Sequence, residues 1–131
     1  MELENKNIIV TGASSGIGAA AARLFAHEGA NVVLGARRQH ELAAIVDEIN
    51  QGNGGRAVLL SGDVCDPSYA LSLVELAEDE FGGLDGAFNN AGIVGEMTPI
   101  ANMTIENWNS VVAVNLTSGF YAAQAQIPAL R

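Results

Sequence analysis

The chain has 131 residues, of which 49% are apolar, enough to form the core of one domain of ordinary size. Six basic residues against fifteen acidic ones give a net charge of −9, which argues against nucleic acid or an anionic membrane as the main partner, because both bind basic surfaces. One cysteine, Cys65, excludes an internal disulfide and is expected to be a packing residue, and two histidines are too few for a metal cluster.

The first residues, MELENKN, are polar and acidic. A signal peptide needs a basic start and an apolar stretch, and no apolar run in the chain approaches membrane-spanning length. We therefore expect a cytoplasmic protein that has no membrane partner.

Strand-like and helix-like apolar patterns alternate along the first half of the chain. Residues 7–10 are a short apolar run that predicts a buried strand, followed by a glycine cluster. From Ile17 the apolar residues recur at i, i+3, i+4, i+7 and i+8, which predicts a helix that ends at Gly29. Residues 31–35 predict a second strand, and a second helix follows it up to the GNGG turn at residues 52–55.

The third strand is predicted at residues 57–60. Asp66 followed by Pro67 predicts an N-cap and the first position of the third helix. That helix is expected to stop at Gly82, since glycine adopts the left-handed conformation that ends many helices.

The fourth strand is predicted at residues 84–89, and a loop leads to a last helix that Thr104 caps and that continues to about Leu130. The order βαβαβαβα, with strands that are apolar throughout, predicts an α/β fold: a doubly wound parallel sheet with helices on both faces. Residues 1–131 are expected to form one domain.

The turn between the first strand and the first helix reads TGASSGIG, at the place where a doubly wound sheet binds its ligand. Its glycines suit a sharp turn, close approach of a pyrophosphate and tight helix packing, and the helix start offers free N–H groups to phosphate. Glycine also occurs in purely structural turns of this kind. We predict a nucleotide-binding turn made of Thr11, Gly12, Ser14, Ser15, Gly16, Ile17 and Gly18.

The glycine spacing, T-G-x-x-x-G-I-G, resembles that of the short-chain dehydrogenase/reductase family. Three further stretches agree with this family in the same order: GDV at residues 62–64, NNAG at residues 89–92 and VNLTS at residues 114–118. The resemblance implies a Rossmann-type domain that binds a nicotinamide dinucleotide, and an oxidoreductase acting on an alcohol or ketone.

The resemblance also implies roles for two of these stretches. Asp63 and the amide of Val64 would hold the adenine ring, although an aspartate here could also be a turn residue that bonds its own backbone. Thr11 would tie the first turn to the NNAG segment, and Asn89 is expected to be structural. Three residues would form the floor under the adenosine ribose and phosphates: Asn90, Ala91 and Gly92.

The end of the second strand indicates which dinucleotide is bound. An acidic residue there would bond the 2′-hydroxyl of NAD, but Ala36 occupies that place and Arg37 and Arg38 follow it. Two guanidinium groups would attract the 2′-phosphate of NADP, so NADP is expected over NAD. The alternative is that both arginines are solvated residues at the start of the second helix, and the glycine turn lacks the basic residue that many NADP-preferring relatives carry.

Asn115 lies inside the last helix, where residues that compete for backbone hydrogen bonds are crowded together. The resemblance implies that this asparagine is catalytic: it interrupts the helix, and its carbonyl holds a water that links the catalytic lysine to solvent. The alternative is an asparagine at a helix kink with no chemical role.

The tyrosine and lysine that the family uses as its acid are missing from this sequence. Tyr69 and Tyr121 are followed four residues later by Leu73 and Ala125, and the only lysine is Lys6. Because hydride transfer to a carbonyl needs a proton donor at the oxygen, we expect the chain to be the cofactor-binding part of an NADP-preferring oxidoreductase, incomplete at its C-terminal side and inactive alone.

Two other functions remain open. One is a non-catalytic module that binds a dinucleotide, and the weaker one is a methyl transferase, which the two arginines disfavour. An incomplete sheet would leave residues 84–89 as an unpaired apolar edge. We therefore expect the chain to form homo-oligomers or to pair with its missing part.

Overall fold

The computed structural model describes residues 1–131. It contains four strands, β1 (Asn7–Thr11), β2 (Asn31–Ala36), β3 (Ala57–Ser61) and β4 (Gly86–Phe88). The helices are α1 (Gly16–His27), α2 (Gln39–Asn50), α3 (Pro67–Phe81), α4 (Ile105–Val112) and α5 (Ser118–Gln126). A π-helical segment, Ala113–Thr117, joins α4 to α5, and a short 3₁₀ turn, Ile100–Asn102, precedes α4. None of the helices combines the length and apolar composition needed to cross a membrane.

All strand pairs are parallel, in the order β3-β2-β1-β4. This is the predicted doubly wound α/β sheet. Neighbouring residues of a strand point to opposite faces, so Ile9 and Val33 pack with α3 while Val10 and Leu34 pack with α1 and α2. All four side chains are fully buried. Because both faces of the sheet are covered, consecutive residues in the middle of these strands are apolar and do not alternate between apolar and polar.

The predicted caps of α3 and α4 are confirmed. The Asp66 carboxylate accepts a hydrogen bond from the Ser68 amide, with Pro67 at the first helical position, and Gly82 ends the helix at φ 85°. The Thr104 hydroxyl accepts from the amide of Asn107 at 3.0 Å. These signals are local in sequence, which is why they could be read directly.

The prediction for the end of the chain was wrong. The last helix stops at Gln126, since Pro128 cannot donate the next backbone hydrogen bond. Leu130 then forms a parallel bridge with Leu84, and the amide of Arg131 donates to the Leu84 carbonyl at 3.1 Å.

The predicted open edge is observed in part. The fourth strand is only Gly86–Phe88, shorter than residues 84–89, and it pairs with β1 alone, at the edge of the sheet. Only Leu84, before this strand, is paired on its outer side, by Leu130 and the Arg131 amide.

Asn7 is a buried polar residue that joins three parts of the fold. Its side chain is 2% exposed and donates to the carbonyls of Phe81 and Gly83, both at 3.1 Å, at the turn after α3. Its side-chain oxygen accepts from the side-chain amide of Asn31 at 3.0 Å, at the start of β2. The first strand is thus fixed to its neighbour and to the turn that leads into β4.

Asn7→Ala is expected to lower the free energy of unfolding by about 3 kcal/mol, because it leaves two partly buried carbonyls and the Asn31 side-chain amide without partners. Urea denaturation monitored by circular dichroism measures this change. Asn53→Ala, at an exposed position in the GNGG turn, is the control and should change stability by no more than about 0.5 kcal/mol. A loss below about 1 kcal/mol for Asn7→Ala would contradict the role assigned to it.

Candidate functional site

A cleft of about 340 Å³ opens at the carboxyl ends of the strands. It lies between β1 and β4, because the crossover after β1 leads to β2 on one side while the crossover after β3 returns to β4 on the other, and sheets of this topology bind ligands at such a point. Ten predicted site residues line it: Gly12, Ser14, Ser15, Arg37, Arg38, Asp63, Val64, Asn90, Ala91 and Gly92. Five predicted residues do not: Thr11, Gly16, Ile17, Gly18 and Asn115.

The first turn and the NNAG segment are joined directly. The Thr11 hydroxyl accepts from the Ala91 amide at 3.2 Å, which is the tie that the family resemblance implied, and the Asn90 side chain donates to the Gly12 carbonyl at 3.4 Å. A Cβ at Gly18 would lie 2.1 Å from the Gly12 oxygen. Only glycine therefore allows α1 to pack this closely on the turn.

The start of α1 has free hydrogen-bond donors. Ser15 is its N-cap residue, but no side chain caps the helix, unlike α3 and α4. Gly16 has φ 57°, and a Cβ there would meet no atom within 4 Å, while the Ile17 side chain is exposed. The free N–H groups and the positive end of the helix dipole suit an anion in this open space.

The two arginines at the end of β2 are exposed and line the cleft. A guanidinium nitrogen of Arg38 lies 3.5 Å from the Ser14 hydroxyl and another lies 3.9 Å from the Glu41 carboxylate. Arg37 has no ion-pair partner within 4 Å. Ala36 supplies no carboxylate beside them, so this end of the cleft favours a negatively charged group.

Asp63 makes the hydrogen bond of a turn residue while it lines the cleft. One carboxylate oxygen accepts from the Cys65 amide at 2.9 Å, which is the structural alternative raised from the sequence. No other N–H group of the chain donates to this carboxylate, so its second oxygen would be open to an N–H donor of a ligand. Burial, together with the nearby Asp63 carboxylate, raises the pKa of the Cys65 thiol, so this cysteine favours the unreactive protonated form.

Asn115 lies in the π-helical segment, at the interruption of the helix that the resemblance implied. Its side chain accepts from the Ile93 amide at 2.8 Å and donates to the Ile93 carbonyl at 2.7 Å. It borders a smaller cavity of about 60 Å³ beside the main cleft. The amide of Asn115 therefore holds the loop that follows the NNAG segment.

Asn89 pairs with Gln126 of α5 through two amide hydrogen bonds, of 2.9 and 2.8 Å. The pair links the end of β4 to the last helix, which supports the structural role expected of Asn89. Its partner was not foreseen, because nothing local in the sequence marks a contact between residues 37 positions apart.

Sequence reasoning also missed three residues that line the cleft: Gly62, Ile93 and Val114. Gly62 could have been found from the sequence, since it precedes Asp63 in the GDV stretch. In the structure a Cβ at this position would lie 2.4 Å from the Tyr69 ring. Ile93 and Val114 are ordinary apolar residues whose positions depend on how the loop folds back on the helix.

No tyrosine or lysine of this chain is placed to donate a proton in the cleft. The Tyr69 hydroxyl donates to the Leu60 carbonyl at 2.5 Å, and burial raises its pKa to about 12. Tyr121 packs against Phe120, with ring centroids 5.9 Å apart. Lys6 precedes β1, at the amino ends of the strands, whereas the cleft lies at their carboxyl ends.

The comparisons with known proteins agree with the fold and the motifs. The family model described as short chain dehydrogenase matches residues 6–131, and the chain belongs to that family. Cyclohexanol dehydrogenase of Acinetobacter sp. (strain SE19) is 38% identical over 129 residues, which cover 98% of this chain and 51% of that protein. The chain thus spans about half the length of the curated relatives it matches.

Solved structures show the same architecture. A short chain dehydrogenase from Mycobacterium smegmatis superposes with a TM-score of 0.92 at 33% identity, over 98% of this chain and 53% of that one. A metagenomic short-chain oxidoreductase in complex with NADP gives a TM-score of 0.89 at 34% identity, over 98% and 57% of the two chains.

Gly16→Val is expected to abolish dinucleotide binding, because a branched side chain would fill the open space at the start of α1. Gly82→Val is a matched control, since Gly82 also has positive φ (85°) and open space around it but lies at the end of α3. Both variants should lose similar stability through backbone strain. Fluorescence titration of the folded variants measures binding, and equal affinity in the two would refute a phosphate site at Gly16.

Proposed function

We propose that residues 1–131 are the cofactor-binding part of an NADP-preferring oxidoreductase, which transfers a hydride between the nicotinamide and an alcohol or ketone. The observation that carries this proposal is the cleft itself, in which the uncapped start of α1, the NNAG floor and two arginines meet. The family of dehydrogenases to which the chain belongs supports the reaction class.

Each part of a nicotinamide dinucleotide has a candidate partner among the residues of the cleft. The free N–H groups at the start of α1 and the hydroxyls of Ser14 and Ser15 would hold the phosphates. Asp63, with one unbonded carboxylate oxygen, would accept from the adenine amino group. Gly92 lines the cleft without a side chain, which would leave room for a sugar.

The preference for NADP rests on charge at the end of β2. Arg37 is the better candidate for the 2′-phosphate, because it has no ion pair to break, whereas Arg38 lies near Glu41. A carboxylate in place of Ala36 would repel that phosphate, and none is present. The solved relative in complex with NADP is consistent with this preference.

When bound, the dinucleotide supplies the hydride, and this chain's residues bind and orient it. The proton donor would come from residues outside this sequence, since none of its own tyrosines or lysines reaches the cleft. The absence of a placed donor also favours a second candidate, a module that binds the dinucleotide without catalysis.

We also propose that the protein is cytoplasmic and forms homo-oligomers. Large apolar side chains stand exposed on the π-helical segment and on α5, with Leu116 70% and Phe120 61% exposed, and such a surface favours association. Light scattering should therefore give a mass above that of one chain, and a monodisperse monomer would contradict this proposal.

Arg37→Ala is expected to weaken NADP binding about ten- to a hundredfold, the value of one charge-assisted hydrogen bond, and to leave NAD binding nearly unchanged. Isothermal titration with both dinucleotides measures the two affinities. Lys6→Ala is the control, because it removes the same charge from an exposed residue that also lacks an ion pair. Equal losses for NADP and NAD would refute the assignment of Arg37 to the 2′-phosphate.

Residues 1–131 alone are expected to bind NADPH but not to consume it with any ketone, because no proton donor is in place. Absorbance of the reduced nicotinamide, followed over a panel of ketones, measures turnover. Joining the chain to the second half of a catalytic relative should restore turnover if it is part of an enzyme. Turnover by residues 1–131 alone would contradict the missing donor, and a correctly folded but inactive fusion would favour the non-catalytic module.

A further inference from the structure

Asn107 makes a pair of hydrogen bonds with the loop that follows the NNAG segment. Its side-chain oxygen accepts from the Glu96 amide and its nitrogen donates to the Glu96 carbonyl, both at 3.0 Å. Asn107 is 9% exposed whereas Glu96 is exposed, so both bonds are partly shielded from water. Asn115 makes the same pair of bonds with Ile93, so an asparagine of α4 and an asparagine of the π-helical segment hold two residues of one loop.

The loop has little else to hold it. No backbone group between residues 92 and 98 bonds to another backbone group. Its apolar side chains point outward, with Val94 74% and Met97 88% exposed, so they provide no anchor in the core. The two asparagines supply the hydrogen bonds that fix its position.

The loop also lies in close contact with α4 at Gly95. Gly95 has φ 75°, and a Cβ there would come within 2.5 Å of the Asn107 oxygen and 2.6 Å of Val111. A side chain at this point would therefore push the loop away from the helix and break the bonds to Asn107.

The π-helical segment aligns the two asparagines. Eight residues of regular α-helix rotate by about 800°, which would leave Asn107 and Asn115 about 80° apart around the axis. A π turn winds less per residue than an α-helix, and the π-helical segment begins at Ala113, so it reduces this offset before Asn115 is reached. Both side chains bond to residues of the same loop.

We propose that Asn107 is a positioning residue for the wall of the cleft. Ile93 lines the cleft, and the Asn107 bonds to Glu96 fix the far end of the short loop that carries it. An asparagine suits this task because an uncharged amide both donates and accepts, whereas a carboxylate could only accept. The inference rests on the proposed function, because it assigns Asn107 a part in dinucleotide binding.

The test compares Asn107→Ala with Asn109→Ala, a change at an exposed asparagine of the same helix that makes no side-chain hydrogen bond. Amide exchange followed by NMR should show that Asn107→Ala loses protection at Ile93 and Glu96 only, while β1 keeps its protection. Binding of NAD and NADP should weaken about three- to tenfold, the value of one neutral hydrogen bond, and Asn109→Ala should change neither.

Two results would overturn the proposal: unchanged affinity despite free exchange at Glu96, or a loss of protection spread evenly over the whole fold. If alanine prevents folding, Asn107→Asp keeps the shape, suits the first turn of a helix and still removes the donor to Glu96. Failure of the wild-type chain to bind either dinucleotide would refute the proposed function and, with it, the role of Asn107 in binding. The exchange data would still show whether Asn107 holds the loop.

Discussion

The cleft depends on one close approach, between the start of α1 and the turn that precedes it. Gly18 lies so near the Gly12 carbonyl that a Cβ would come within 2.1 Å of it and 2.7 Å of the Asn90 side chain. This contact orients the start of α1 toward the cleft. It also leaves room for the side chain of Asn90, which follows β4, to donate to the Gly12 carbonyl. The two halves of the sheet are joined at the point where a ligand would bind.

Much of this arrangement could be predicted from the sequence, because its signals are local. Apolar runs gave the four strands, and Asp66, Pro67 and Thr104 gave the helix starts, since a cap is decided by residues within one turn of each other. Ten of the fifteen predicted site residues line the cleft, because the ends of parallel strands must meet at one edge of the sheet.

The features that could not be predicted depend on partners distant in sequence. Leu130 pairs with Leu84, and Gln126 pairs with Asn89, yet an apolar residue and a glutamine near a chain end carry no mark of such contacts. The wall formed by Ile93 was missed for the same reason, since it depends on Asn115, 22 positions away. Periodicity indicates which face of a helix is buried but not which residue it meets.

Side-chain amides join the segments around the cleft to α4, the π-helical segment and α5. The net charge of −9 gives a physical reason why amides and not carboxylates occupy these positions. Asn89, Asn107 and Asn115 each donate and accept at once, so they fix the cleft's surroundings without adding negative charge. Carboxylates in these places would repel the phosphates of the proposed dinucleotide in a chain that is already acidic. Neutral amides add no charge to that of Asp63, which Arg37 and Arg38 outnumber in the cleft, so the cleft can attract an anion although the protein as a whole repels one.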